Sequence, residues 1–225
     1  MTEAPATHDA TATAGIASLE PEDRLRADTY RVLGRLLAAP PDAETLSLFA
    51  TAPVSNEDNL LAVAWRMLAL SAERSAVDQV ADEYQTLFIG LGRGELVPFG
   101  SWYLTGFLME QPLARLRTDM QKLGFERQDD VAEPEDHAAA LCEIMALLAE
   151  DTSPGSLEVQ AAFFETHIGT WIARFFRDMP EASSARFYRA VGQLGEKFID
   201  TDQRYLEMVE RSDATPGEPV RPGIS

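Results

Sequence analysis

The sequence predicts an all-α fold, a multi-helix bundle in one domain, on three observations. Apolar residues recur at spacings of three and four along nearly the whole chain, the period at which a helix presents one face to a core. No stretch alternates with period two over the length of a strand, and no internal repeat is present. Proline and glycine punctuate the gaps between the periodic stretches.

The elements follow in order. Leu25, Val32, Leu33, Leu36 and Leu37 form the first stripe, which Pro40-Pro41 stops because proline cannot continue the backbone hydrogen-bond ladder. Leu60, Leu61, Val63, Ala64, Met67 and Leu68 form a second, and Val77, Val80, Ala81, Tyr84, Leu87 and Phe88 a third that ends in Gly90, Gly92 and Gly94. Leu113, Leu116, Met120 and Leu123 run up to Gly124, and Leu141, Ile144, Met145, Leu147 and Leu148 run up to the Ser153-Pro154-Gly155 turn. The clearest stripe joins Leu157, Ala161, Phe164, Ile168, Trp171 and Phe175, and Phe187, Val191, Leu194 and Phe198 open a last helix that reaches Val209. Each stripe is expected to face a core, giving seven or more helices.

At 225 residues the chain is long enough to bury such a core. Residues 1–18 are rich in Ala and Thr, with one proline, and residues 212–225 hold three prolines and two glycines. Both are expected to be disordered around a helical domain at 19–211, because neither can bury enough apolar surface to offset the entropy of ordering. The N-terminus carries no basic-then-apolar export signal and no twin-arginine pair, and no run approaches a membrane span. A cytoplasmic protein without stable membrane insertion is the expectation. The lone cysteine, Cys142, excludes an intrachain disulfide and a cysteine zinc cluster, and its Ala/Leu surroundings predict a buried structural thiol. The formal charge of −18 disfavours nucleic acid and anionic membranes and favours a basic ligand such as an Arg-containing peptide. Solubility alone also accounts for it.

Two segments break the pattern. The first runs from Glu83-Tyr84 through Leu87-Phe88 into a glycine-rich loop carrying Leu96, Val97, Pro98, Phe99, Trp102 and Tyr103. That is much apolar surface for a loop. Either the loop folds back to complete the core, or these side chains line a groove for an apolar or peptide ligand. The glycines match neither the dinucleotide fingerprint nor the Walker A loop, so they are turn formers. The second segment, Glu133-Pro134-Glu135-Asp136-His137, precedes a helical run. Capping explains its proline and acids, because early helical N–H groups lack partners and acids complement the dipole. It leaves His137 unexplained.

In this order and spacing the two segments resemble the TorD/DmsD/NarJ family of redox-enzyme maturation chaperones. The likeness rests on Glu83-Tyr84, Leu87-Phe88, Gly90, Pro98, Ser101 and Tyr103, then on Glu133 to His137. Phe164, His167 and Trp171 resemble the family's later region, and the likeness spans roughly Asp23 to Val209. The resemblance implies an all-helical, non-enzymatic chaperone with no cofactor of its own. Its implied partners are the twin-arginine signal peptide and the apo form of a molybdopterin oxidoreductase, such as an S- or N-oxide reductase or a formate dehydrogenase. Export is held back until that enzyme's cofactor is inserted. A monomer and a swapped dimer are both compatible with it. The implied peptide-binding residues are Tyr84, Leu87, Phe88, Pro98, Ser101, Trp102, Tyr103, Glu133, Pro134, Asp136 and His137. Gly100 departs from the pattern, since an aromatic or polar residue could stand there in relatives, which leaves the groove's local shape open.

The combined expectation is a groove in which apolar side chains bury the apolar middle of the signal, while Asp136, Glu133, Glu135 and Glu95 attract its guanidinium groups. Two alternatives belong to other classes. A metal-dependent or acid–base enzyme would use His137 with Asp136, or His167 with Glu165, although His167 reads better as a core histidine and no HExxH or Glu-x-x-His pair is present. A helical adaptor without signal-peptide specificity is the other.

Overall fold

The computed structural model describes residues 19–53, 55, 57–91, 93–125 and 133–213, with side chains followed to residue 208. Residues 1–18 and those beyond 213, where disorder is expected, lie outside the described residues, as does Gly92. Ten α-helices and no strand occur among the described residues, as the periodicity predicts.

Helix α1 (Pro21–Ala38) begins with proline in its first turn, where no backbone donor is lost. It stops two residues before Pro40, with Ala39 as its C-cap, and two tyrosines satisfy its last carbonyls. The Tyr188 hydroxyl donates to Leu36 O at 3.0 Å, and the Tyr84 hydroxyl to Leu37 O at 3.1 Å and Ala38 O at 3.0 Å. α1 lies along α7 (Ala138–Glu150), close enough that a Cβ on Gly34 would sit 3.4 Å from the Cys142 Cβ. Cys142 is fully buried there and burial pushes its thiol pKa up, consistent with the structural thiol expected.

The long α10 (Phe187–Asp213) packs across α3 (Leu60–Glu73), α8 (Ser156–His167) and α9 (Ile172–Asp178). A buried polar cluster locks α1 to α10 and α8. Arg26 reaches Asp202 at 2.5 Å and Gln160 at 2.8 Å, and the Tyr30 hydroxyl donates to Asp202 at 2.6 Å. α4 (Val77–Tyr84), α5 (Gly100–Thr105) and α6 (Gln111–Lys122) complete the body, and α2 (Ala43–Thr51) packs on α3.

The structure departs from the expectations at particular places. Leu60, Val63 and Met67 do not face the core. They are exposed, and the face of α3 turned inward is Ala62, Ala64, Leu68 and Ala72. Leu25, Val77 and Leu147 are exposed as well. The long stripe from Leu157 to Phe175 is two helices, α8 and α9, joined by a turn at 168–171 that keeps the apolar face in phase. α2 and α5 had no counterpart in the periodic reading; α2 is nine residues with an Asp42 cap on Thr45 N, and α5 only six.

Candidate functional site

The two unusual segments meet in space. Gly100 N donates to Asp136 O at 2.9 Å, Ala138 N donates to Pro98 O at 2.8 Å, and Phe99 pairs with His137 in an isolated antiparallel bridge. The stretch from Pro98 to Ser101 is thus clamped against the entry to α7. Gly100 sits at the same contact: a Cβ there would lie 3.1 Å from the Trp171 indole nitrogen, so any side chain would require the ring to shift by a few tenths of an ångström.

Two of the motif acids, Glu83 and Asp136, cap helices. Glu83 is buried and accepts three backbone N–H bonds at the start of α10, from Arg186 at 2.8 Å, Phe187 at 3.0 Å and Tyr188 at 2.8 Å. Asp136, only 3% exposed, accepts from Ser101 N at 2.7 Å in the first turn of α5, while its other oxygen and the Ser101 hydroxyl have no partner among the described residues. Capping is therefore distributed differently from the expectation. α7 starts at Ala138, after the acids, and its N-cap is His137, whose Nδ1 accepts from Ala139 N at 3.1 Å. The histidine that capping left unexplained is itself the cap. That bond fixes the neutral tautomer with the proton on Nε2. Burial lowers the His137 pKa to about 4, the nearby Glu133 and Asp136 carboxylates opposing it only in part.

On the other side of the clamp, α4 runs into a π-turn over Gln85–Ile89, closed by Gly90 N donating to Gln85 O at 2.7 Å. Gly90 has φ +60°, and the chain returns over the turn so that Leu96 N donates to Leu87 O at 2.8 Å. The wider turn carries Ile89 to the surface while Leu87 points into the core.

Between these walls lies a cavity of about 550 Å³. Of the residues proposed from the sequence, Tyr84, Phe88, Pro98, Pro134 and His137 line it, and Glu133 stands at its rim. Phe99, one of the loop side chains read as possible groove lining, lines it too, whereas sequence reasoning missed Ile89, Glu143, Ile144 and Leu147. Of these, Leu147 and Ile144 carried a signal, since they lie one turn apart on the helix that His137 opens. Glu135 also lines the cavity and holds Arg117 through two hydrogen bonds, at 2.8 and 3.0 Å.

The remaining predicted residues lie elsewhere. Leu87 and Ser101 are fully buried. Asp136 faces a smaller cavity of about 250 Å³ beside Arg115 and His167. Trp102 and Tyr103 line a third, of about 570 Å³, together with Glu95. The predicted surface is therefore one clamp with cavities on different sides. His167, expected to be a core histidine, is buried with Nε2 3.0 Å from Asp119 Oδ2. Burial lowers its pKa against the opposing pull of that carboxylate. Glu165, its partner in the enzyme alternative, lines a different cavity. No group of three His, Cys, Asp or Glu side chains able to hold a metal occurs among the described residues, and no helix among them is long and apolar enough to cross a membrane.

The sequence profile of the nitrate reductase delta subunit family matches residues 55–177, which contain both motifs and most of these cavity walls. The chain belongs to that family. It is a TorD-like member. It is 26% identical over 203 residues to the chaperone protein TorD of Shewanella loihica, covering 81% of this chain and 93% of the relative. Against the TorD of Aliivibrio fischeri it is 24% identical, covering 80% and 94%. A protein of Haemophilus influenzae named as a Tat proofreading chaperone, DmsD, is 29% identical over 131 residues, 56% of this chain and 62% of its own. A crystal structure assigned to redox enzyme maturation in Archaeoglobus fulgidus aligns with 81% of this chain and 94% of its own, at 17% identity and a TM-score of 0.49. Family and relatives together mark a chaperone of redox-enzyme maturation.

Proposed function

We propose that the chain acts in the cytoplasm by binding, not by catalysis, and that its ligand is the twin-arginine signal peptide of a molybdopterin oxidoreductase held in its apo form. The observation that carries this reading is the 550 Å³ cavity: both motifs build it, its walls are aromatic and aliphatic, and its rim is acidic. A peptide with an apolar middle and a basic end matches both properties. The apolar middle enters between Phe88, Phe99 and Leu147, and the charge of −18 draws the basic end and speeds encounter more than it tightens the complex. The buried members of the site act at one remove. Asp136 and Ser101 hold the two walls at their spacing, and Leu87 anchors the π-turn that presents Ile89. The relatives' names support the reading through one word shared by all of them, chaperone, and through the Tat proofreading of the DmsD relative.

The test is calorimetric titration of a synthetic twin-arginine signal peptide, in parallel with a version whose arginines are alanine. Saturable binding, weakened by the alanine change and reduced but not abolished by salt, is expected, because an apolar contribution survives screening. Equal binding of unrelated amphipathic helices would instead mark a general helical adaptor.

A further inference from the structure

The third cavity, of about 570 Å³, is lined by Trp102, Tyr103, Arg93, Arg174 and three carboxylates, Glu95, Asp178 and Glu181. Two of its features point to a ligand. Each aromatic ring already carries a guanidinium group on its face, Arg93 over Trp102 and Arg174 over Tyr103, both with Cζ 4.9 Å from the ring centroid. Neither arginine makes an ion pair among the described residues, although three carboxylates line the same space. Arg174 donates to the Tyr103 carbonyl instead. The Tyr103 hydroxyl donates to Asp178 at 3.0 Å, and Glu95 is held by Ser183 and Ser184.

We propose that this cavity is the seat for the paired guanidinium groups of the same basic peptide, and that Arg93 and Arg174 hold the two aromatic faces until the peptide displaces them. The proposal rests on the signal-peptide reading above and adds where the arginines go. A visiting guanidinium gains what the resident ones lack, an aromatic face and a carboxylate together. Both resident arginines are exposed and can swing into solvent. Position fits as well. Val97 lines this cavity and Pro98, the next residue, lines the apolar one, so the two cavities adjoin along consecutive residues of one segment. One extended peptide reaches both. An anionic ligand is disfavoured, because three carboxylates outnumber two guanidinium groups here and the chain carries −18.

The test compares the twin-arginine peptide with its double-alanine version by calorimetry, on wild type, Trp102→Leu, Glu181→Gln and the double variant Arg93→Lys/Arg174→Lys, with circular dichroism confirming each fold. In wild type the arginine peptide binds more tightly. Trp102→Leu and Glu181→Gln should each cut that preference, by about tenfold for the first, at a change of ~1.4 kcal/mol. Affinity for the alanine peptide should stay constant in both. The lysine double variant keeps both charges and gives up the planar stacking, so it should tighten the arginine peptide by about threefold if displacement is the cost. A wild-type preference that none of these variants alters would overturn this inference and leave the apolar cavity as the site. Saturable binding of inorganic phosphate, lost in Arg93→Gln/Arg174→Gln, would overturn it in favour of an anion site. Wild type that binds neither peptide overturns both this inference and the function it rests on.

Discussion

Glu83 and Asp136 are both motif acids, both buried, and both cap a helix distant in sequence, yet they are satisfied to different degrees. Glu83 uses both oxygens on three N–H groups of the longest helix, α10. Asp136 uses one oxygen on a six-residue helix and leaves the other bare. The first fastens the wall of the site to the core. The second fastens the two walls of the site to each other, through a contact that a few hydrogen bonds and one aromatic pair maintain. Neither is a surface charge available to a peptide arginine; of the motif acids, it is Glu133 that is exposed, at the rim of the apolar cavity. In the proposed reading the carboxylates that face the peptide are Glu133 and Glu143 at the apolar cavity and Glu181 at its neighbour.

This difference sets the expected scale of the variants. Glu83→Ala should have the largest effect, about 4 kcal/mol lost in urea unfolding, since orphaned buried donors cost roughly 1–3 kcal/mol each and water rescues some of them. Asp136→Ala should cost about 2 kcal/mol, for one charged acceptor removed from Ser101 N. Asp136→Asn should cost less than about 0.5 kcal/mol, because the amide oxygen keeps that bond and no second partner is lost. A large loss in the asparagine variant would show that the bare oxygen carries an interaction of its own, and the comparison with Glu83 would collapse. Gly100→Ala should fall between, at about 1–2 kcal/mol, from the forced contact with the Trp171 ring.

The clamp should also be pH-sensitive. His137 has a folded pKa of about 4, below the unfolded value near 6.5. Between these two pH values the unfolded chain binds more protons, so stability is complete above about pH 6.5 and declines as pH falls toward 4. Unfolding free energies measured across that range should show a slope that His137→Asn, which keeps an N-cap acceptor, largely removes. An unchanged slope would place the titrating group elsewhere.

Much of the fold was legible because helix periodicity is a local property. The stripes of α1, α6, α7 and α10 lie where their spacing put them. What was not legible depends on distance in sequence. Nothing local tells that Glu83 caps residues more than 100 positions later, or that Asp136 caps α5, on the far side of α6 in the chain. Periodicity likewise cannot say which side of α3 meets α10. Leu60, Val63, Met67 and Leu70 are spaced like a core stripe, yet Ala62, Ala64, Leu68 and Ala72 face inward and those four are left outside. α5 escaped because six residues are too few for a period to show. For the site, both wall segments were visible as interruptions of the pattern, and their meeting was not.

Placing a photo-reactive phenylalanine analogue in the apolar middle of the signal peptide and mapping its crosslinks tests the central claim most directly. Among the described residues, the cavity between the clamped motifs is not the only apolar surface that could take that middle: the Leu60–Leu70 face of α3 and the segment holding Leu104, Phe107, Leu108 and Met109 are exposed as well. Crosslinks at Ile89, Phe99 or Leu147, lost in Leu147→Glu, are the predicted result. Crosslinks confined to α3, unaffected by Leu147→Glu, would contradict it.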